Sequence, residues 1–284
     1  MPFNTSVVGA QTKGFVHSVD ARWLMAYAAG IGDVKPAFVD SAKHTVIGHP
    51  VFPVCLEWPA ILECYRLPGT ELVTAQEQAR NVHAAHDLHI FRPIHAGEQL
   101  TTTATVVGLT RIKPGAAQTI RLDTVAQDGE LVCRTYQLGI KRQVEILGAP
   151  RIDEQAPDFP VAQGGAAQRF EIPIATTAAH VYTECARIWN PVHTDRAVAL
   201  AAGLPDIILH GTATLAMAVS RIVDHCIDGD PTRVTRLGGR FSAMVLMPST
   251  ITLAIHAHHD GVINYTVFCE DDGQAISQGF VCYR

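Results

Sequence analysis

The 284-residue chain has no long apolar run. Its most apolar stretches are cut by Pro50, Pro53, Glu57 and Pro59, or by Asp206, His210 and Gly211. They fall short of the ~20 residues that span a bilayer as a helix. Basic excess is also missing: 22 Lys and Arg stand against 27 Asp and Glu, a formal net charge of -5. That argues against nucleic acid as a partner, because a phosphate backbone demands a basic face. No block of like charges suggests an interaction tail. Neither a G-x-G-x-x-G run nor a phosphate-loop lysine pattern is present, which excludes the common dinucleotide and P-loop sites. The seven cysteines are odd in number and scattered, with no C-x-x-C pair, as expected of reduced thiols. Cys185 lies close to His193 and could be a nucleophile; a small buried residue on a helix is the plainer reading. The opening "MPFNTSVVGAQTKGF" lacks the charged start and continuous apolar core of a signal peptide. A soluble, cytoplasmic protein is expected.

What the sequence does contain is a repeat. "YAAGIGDVKPAF", from Tyr27, and "YTECARIWNPVH", from Tyr182, both open on Tyr and reach a Pro nine residues later, Pro36 and Pro191, at a constant offset of 155. Each is followed by an apolar helical stretch, "PVCLEWPAILECYR" from Pro53 and "GTATLAMAVSRIVDHC" from Gly211. After each come strand-like runs that alternate and are rich in Val, Ile, Thr and aromatics. Asp128-Gly129 and Asp272-Gly273 mark the last hairpin turn of each half. The reading is α+β, a central helix wrapped by an antiparallel sheet, twice over. The repeats are 1–146 and 169–284, joined by an extended, Pro- and Gly-rich linker, 147–168.

"IWNPVHTD", followed by "AGLPDIILHGTATLAMA", resembles the hydratase motif of the MaoC-like family, which comprises (R)-specific enoyl-CoA hydratases and 3-hydroxyacyl-thioester dehydratases. "YAAGIGD", "HDLHIFRPIHAGEQL" and the length resemble its two-hot-dog members. The resemblance implies a double hot-dog fold, an acyl-CoA or acyl-carrier thioester as substrate, no cofactor beyond the coenzyme A of that substrate, and a degenerate first-half site. A homodimer is expected because such sheets commonly pair further.

Hydrating an enoyl thioester needs a base for water and fixed donors for charge on the thioester oxygen. Gly211 stands where a loop enters a helix, whose first amides are unpaired and favour an anion. The resemblance gives its N–H the oxyanion role, with the adjoining His210 holding the loop. The family motif is Asp-x-Asn-Pro-x-His; here Asn190 and His193 stand at the matching positions, but Ile188 replaces the Asp. Three readings stay open. His193 could act as base alone, oriented by Asn190 or a backbone carbonyl. Another acid could substitute, Glu184 one helical turn before Ile188 or Asp195 just after His193. Or the site could bind a thioester without chemistry, as a binding module or partner subunit. Thioester hydrolysis is a further alternative, with Glu184 activating water. Read blandly, "NPVHTD" starts a helix, with Thr194 or Asp195 as N-cap and Gly203 as the stop.

The first half keeps an acid, Asp33, at the place of Ile188, but carries Lys35 and Phe38 where the second has Asn190 and His193. Pseudo-symmetry would hold Asp33 away from His193. Trp58, Phe52 and Trp189 are candidate walls of the acyl pocket, His210 a further substrate contact, and Arg240 and Arg92 candidates for coenzyme A. No metal is expected. His83, His86 and His89 are three apart and so alternate between the faces of a strand, and His256 with His258 gives only two ligands.

Overall fold

The computed structural model describes residues 3–78 and 80–284. The first repeat runs β1 Phe3–Asn4, β2 Phe15–Val19, α1 Ala21–Gly30, α2 Pro36–Val39, α3 Pro53–Glu63 and α4 Ala75–Gln78. Its long strands follow, β3 Asn81–Ile90, β4 Glu98–Ile112, β5 Gly115–Ala126 and β6 Leu131–Arg142. Two short strands, β7 Ile146–Leu147 and β8 Arg151–Ile152, lie in the connection. The second repeat is β9 Gln168–Ile174, α5 Ala178–Ala186, α6 Arg196–Ala201 and α7 Gly211–Cys226. It ends with β10 Val234–Phe241, β11 Ser249–His259, β12 Val262–Phe268 and β13 Gln274–Tyr283.

One continuous sheet carries both halves, in the order β2-β4-β5-β6-β3-β10-β13-β12-β11-β9. The order is a mirror about the β3–β10 junction, which is antiparallel and pairs Leu88 with Leu237 and Ala85 with Arg240. Each half lays its own central helix, α3 or α7, on the concave side. This is the expected double hot-dog. Sequence patterning does not reveal β2 and β9. Both are short edge strands, and β2 buries only Val19 fully, so the alternation that marks a half-buried strand is faint there.

The repeat offset becomes physical at the centre. Tyr27 on α1 and Tyr182 on α5 are fully buried, and their hydroxyls meet at 3.5 Å. Residues one pseudo-symmetry operation apart touch only near the axis. Gly30 and Cys185, also 155 apart, pack so closely that a Cβ on Gly30 would stand 2.9 Å from that of Cys185. Burial pushes the Cys185 thiol up, away from the thiolate form a nucleophile needs.

α7 buries Leu215, Ala216, Val219, Ile222 and Val223, the three-and-four spacing of a helix with one face in the core. Each large aliphatic side chain so buried contributes about 1.5–3 kcal/mol. α3 is shorter, 11 residues against 16, with Pro59 inside it. It buries a carboxylate, Glu57, which accepts a hydrogen bond from Thr135; burial lifts its pKa to about 7.

The connection between the repeats is a strap rather than a loose tether. β8 pairs with β4, Glu154 accepts from Arg121 and Tyr136, and the Asp158 carbonyl accepts from Arg236. Arg236 in turn grips Asp87 of β3 through two bonds of 2.8 Å.

Candidate active site

The site segment begins where α5 ends. Arg187 adopts the left-handed conformation at φ 58, and the Ile188 N–H closes back on the Thr183 carbonyl at 3.1 Å. This αL cap turns the chain sharply. Ile188 goes into the core, 7% exposed, while Trp189 is 59% exposed. The helix therefore does not carry Glu184 and Ile188 on one face, as the sequence spacing suggested: it stops before reaching Ile188. Pro191–His193 form one tight turn begun by Asn190. Asp195 then caps α6, its Oδ1 accepting from the Ala197 and Val198 N–H groups at 2.9 and 3.3 Å. Asp195 is thus the N-cap that its place ahead of this helix predicts. Gly203, at φ 80, follows α6 as the expected stop.

The loop after α6 brings His193 and His210 together. Their rings stack with centroids 3.7 Å apart and planes 25° apart. His193 Nδ1 lies 2.8 Å from the Ile208 carbonyl. A carbonyl only accepts, so Nδ1 carries the proton and Nε2 keeps its lone pair. Burial holds the His193 pKa down, at about 4, against a smaller opposing effect of the Ile208 carbonyl. His210 is 3% exposed and lies within 3.2 Å of the Thr183 hydroxyl through Nε2. Burial, then the neighbouring His193, lowers its pKa well below the usual range. His210 thus fastens the α5 end to the α7 start through Nε2, while its Nδ1 has no hydrogen-bond partner among the described residues.

The His210 carbonyl begins α7, accepting from the Ala213 and Thr214 N–H groups at 3.0 and 3.1 Å. Gly211 is the first residue of that helix. A Cβ there would stand 3.0 Å from the Phe241 ring, so the glycine admits Phe241 as well as leaving its backbone open. Beside this turn lies a cleft lined by His180, Thr183, Glu184, Trp189, Asn190, Pro191 and Thr194. Glu184 is exposed and shares that cleft with Asn190 and Trp189.

The other expected wall residues are elsewhere. Phe52 has no exposed surface and packs edge-on to Trp23 and Tyr27; it is core. Trp58 is half-buried against the same core. Arg92 is engaged with Glu98 and Glu130, both at 2.7 Å. Arg240 donates to Gln278 at 2.7 Å.

The first-repeat counterpart is closed. Lys35 Nζ sits 2.9 Å from both Asp33 oxygens and 2.7 Å from Asp224 on α7. Burial alone would raise the Asp33 pKa, but Lys35 and His49 outweigh it and the net shift is downward. His49 has both nitrogens occupied, Nδ1 by the Val51 N–H at 3.1 Å and Nε2 by Ser220 Oγ at 3.1 Å. Asp33 is thus bound within its own repeat and to α7, with no contact to His193 among the described residues.

The expected alternation of the β3 histidines is corrected. The His83 and His86 rings lie 5.3 Å apart, not on opposite faces. A bulge between His83 and Ala85 inserts an extra residue, Ala84, and resets the alternation. His89 faces the other way, 3.3 Å from Asp87. His256 and His258 hold Thr266 and Tyr283 at 2.8 and 2.7 Å.

Comparison with known proteins agrees with the fold. Residues 161–270 match a "MaoC like domain" and residues 6–135 a "FAS1-like, dehydratase domain region". The chain is 24% identical to enoyl-CoA hydratase 2, peroxisomal, of Arabidopsis thaliana, over 94% of this chain and 91% of that protein. It is 25% identical to 3-hydroxyacyl-thioester dehydratase Y of Mycobacterium tuberculosis, over 90% and 88%. The fold superposes on a MaoC-like dehydratase from Phytophthora capsici with a TM-score of 0.84 at 18% identity, covering 97% and 95% of the two chains. The chain therefore has the double hot-dog fold of its structural neighbours, and its second and first halves are similar to a MaoC-like domain and to a FAS1-like dehydratase region.

Proposed function

We propose that the protein reversibly hydrates an α,β-enoyl thioester of coenzyme A or an acyl carrier, with His193 as the general base and acid. The observation that carries the reading is the bond from His193 Nδ1 to the Ile208 carbonyl, 2.8 Å long. A backbone carbonyl does there what a carboxylate would otherwise do: it fixes the tautomer and leaves the lone pair on Nε2. In the hydration direction Nε2 takes a proton from water as the water oxygen bonds the β-carbon. The same nitrogen returns a proton to the α-carbon. Charge on the thioester oxygen is met by the Gly211 N–H and the positive end of α7. Asn190, from the cleft wall, orients the incoming water or thioester. Ile188 cannot do so from the core. The reaction so drawn needs no cofactor, and the family's sheets suggest a homodimer.

His193→Ala should cut crotonyl-CoA hydration by about 10²–10⁴-fold, the usual worth of a positioned acid-base group. An undiminished rate removes the base. Measured on protein that circular dichroism shows to be folded at each pH, kcat/KM should show no protonation between pH 8 and pH 5, because burial holds the His193 pKa at about 4. A midpoint at 6 to 7 would mean that some other group titrates.

Glu184 supports a second reading, thioester hydrolysis, because it is a carboxylate in the same cleft as Asn190. Release of free coenzyme A that Glu184→Gln abolishes would favour it. Tight acyl-CoA binding with neither reaction would leave a binding subunit.

A further inference from the structure

On the helix-facing side of the first repeat's sheet, five side-chain atoms are buried without a hydrogen-bond partner among the described residues: His83 Nε2, both ring nitrogens of His86, Gln137 Oε1 and Gln118 Nε2. His86 is 0% exposed, and Gln118 and Gln137 are each 5% exposed. Register puts them side by side. His86 stands opposite Gln137, and His83 opposite Gly139. Gly139 in turn stands opposite Gln118, and Gln137 opposite Ile120. Directly opposed residues share a face, and so do residues two apart in a strand. The face is the one beneath α3, since Thr135, two residues before Gln137, bonds Glu57, and Ile120 packs with Ala60 and Cys64.

Buried polar atoms without partners are rare, because each gives up its bonds to water and regains nothing. Four neighbouring side chains carrying five of them amount to a binding surface. Both imidazoles are kept neutral by burial, with pKa values of about 3 for His83 and about 4 for His86. Each then offers one N–H and one lone pair, and each Gln offers one donor or acceptor atom. That suits a hydroxyl or carbonyl oxygen and not a fixed charge.

The surface connects with the second repeat through one ring. Phe241 packs 3.0 Å from the Cβ position of Gly211, and its centroid lies 4.8 Å from that of His83. An acyl chain running from Gly211 toward the first repeat would have to pass Phe241 before it reached His83 and His86. The chemistry would begin on one side of Phe241, and chain recognition would lie on the other.

We infer that His83, His86, Gln137 and Gln118 select acyl thioesters whose chain carries a hydroxyl or keto oxygen well beyond the β-carbon. The inference rests on the thioester reading above and names its substrate class.

The experiment is calorimetry on the full chain with decanoyl-CoA and with mono-hydroxylated decanoyl-CoAs whose hydroxyl lies beyond the fourth carbon. At least one hydroxylated chain should bind about tenfold or more tightly than decanoyl-CoA, the worth of one buried hydrogen bond. The His86→Leu/Gln137→Leu double variant should abolish that preference, and Gln118→Leu alone should reduce it should the double variant fail to fold. Decanoyl-CoA binding with no hydroxyl preference, or a preference that survives these substitutions, overturns the inference and leaves the thioester reading standing. So does a crystal structure of the complex in which ordered waters, and not the chain's oxygen, hold the five atoms. Failure of every acyl-CoA to bind overturns both.

Discussion

Acidification should unfold this protein by charging histidines that the fold keeps neutral. Six of them are displaced downward by burial: His17 and His210, His49 and His83 to about 3, and His86 and His193 to about 4; the last four set the magnitude. In the unfolded chain each would titrate near 6.5. Below that pH the unfolded state takes up protons that the native state refuses, so stability falls as pH falls. At pH 5 each group is about 1.5 units below its unfolded pKa. At 1.36 kcal/mol per unit, that costs about 2 kcal/mol apiece, or about 8 for the four. Glu57 works the other way. Its folded pKa of about 7 penalises the native state at pH 8, and protonation on the way to pH 5 restores about 2–3 kcal/mol. The net loss between pH 8 and pH 5 is about 5–6 kcal/mol, comparable with the 5–15 kcal/mol stability of an ordinary domain. Urea denaturation followed by far-UV circular dichroism at both pH values measures it. His86→Leu should remove about 2 kcal/mol of the difference. Equal midpoints at pH 8 and pH 5, or an unaltered difference in His86→Leu, would refute the reasoning.

Three further outcomes follow from the same structure. Glu57→Gln keeps an acceptor for Thr135 and removes the titration, so it should raise stability at pH 8 by up to about 3 kcal/mol and by little at pH 5; the same denaturation series reads it. Gly211→Ala would place a Cβ 3.0 Å from the Phe241 ring, and the ring must give by a few tenths of an ångström. A loss of about 1 kcal/mol in stability should accompany a larger drop in kcat/KM, and an unchanged kcat/KM would show that the α7 start is not approached by substrate. Ile188→Asp should not create a better enzyme. It would remove a well-packed aliphatic side chain and bury a carboxylate, at a cost of about 3–5 kcal/mol, and crotonyl-CoA hydration should not rise.

Some of this was readable from order and spacing. Tyr27 and Tyr182, 155 residues apart, meet at the pseudo-symmetry axis. Asn190, Pro191 and His193 do form one tight turn, and Gly211 does open the central helix. Glu184 and Asp195 show where spacing misleads. Helical periodicity sets Glu184 beside Ile188, but the Arg187 cap breaks the helix between them. Asp195 is close to His193 along the chain, but its Oδ1 turns to the start of α6 and accepts from two backbone N–H groups there. His83 and His86 fail for a related reason: alternation assumes an unbroken strand, and the bulge at Ala84 leaves no mark in composition. Phe52 was sound as a large apolar residue near the central helix, but sequence could not tell whether that helix turned it to a cleft or to the core.

The sequence by itself determined the duplicated plan, because a helix at a fixed offset followed by alternating strands can bury its apolar faces only one way in each half. It also determined which chemical groups were present. Only the tertiary structure decided what those groups do. The tautomer of His193 depends on the Ile208 carbonyl, the neutrality of the buried histidines depends on desolvation by the packed fold, and the polar row under α3 depends on the register of three strands. Each is set by partners brought together from distant parts of the chain, and no local pattern encodes them.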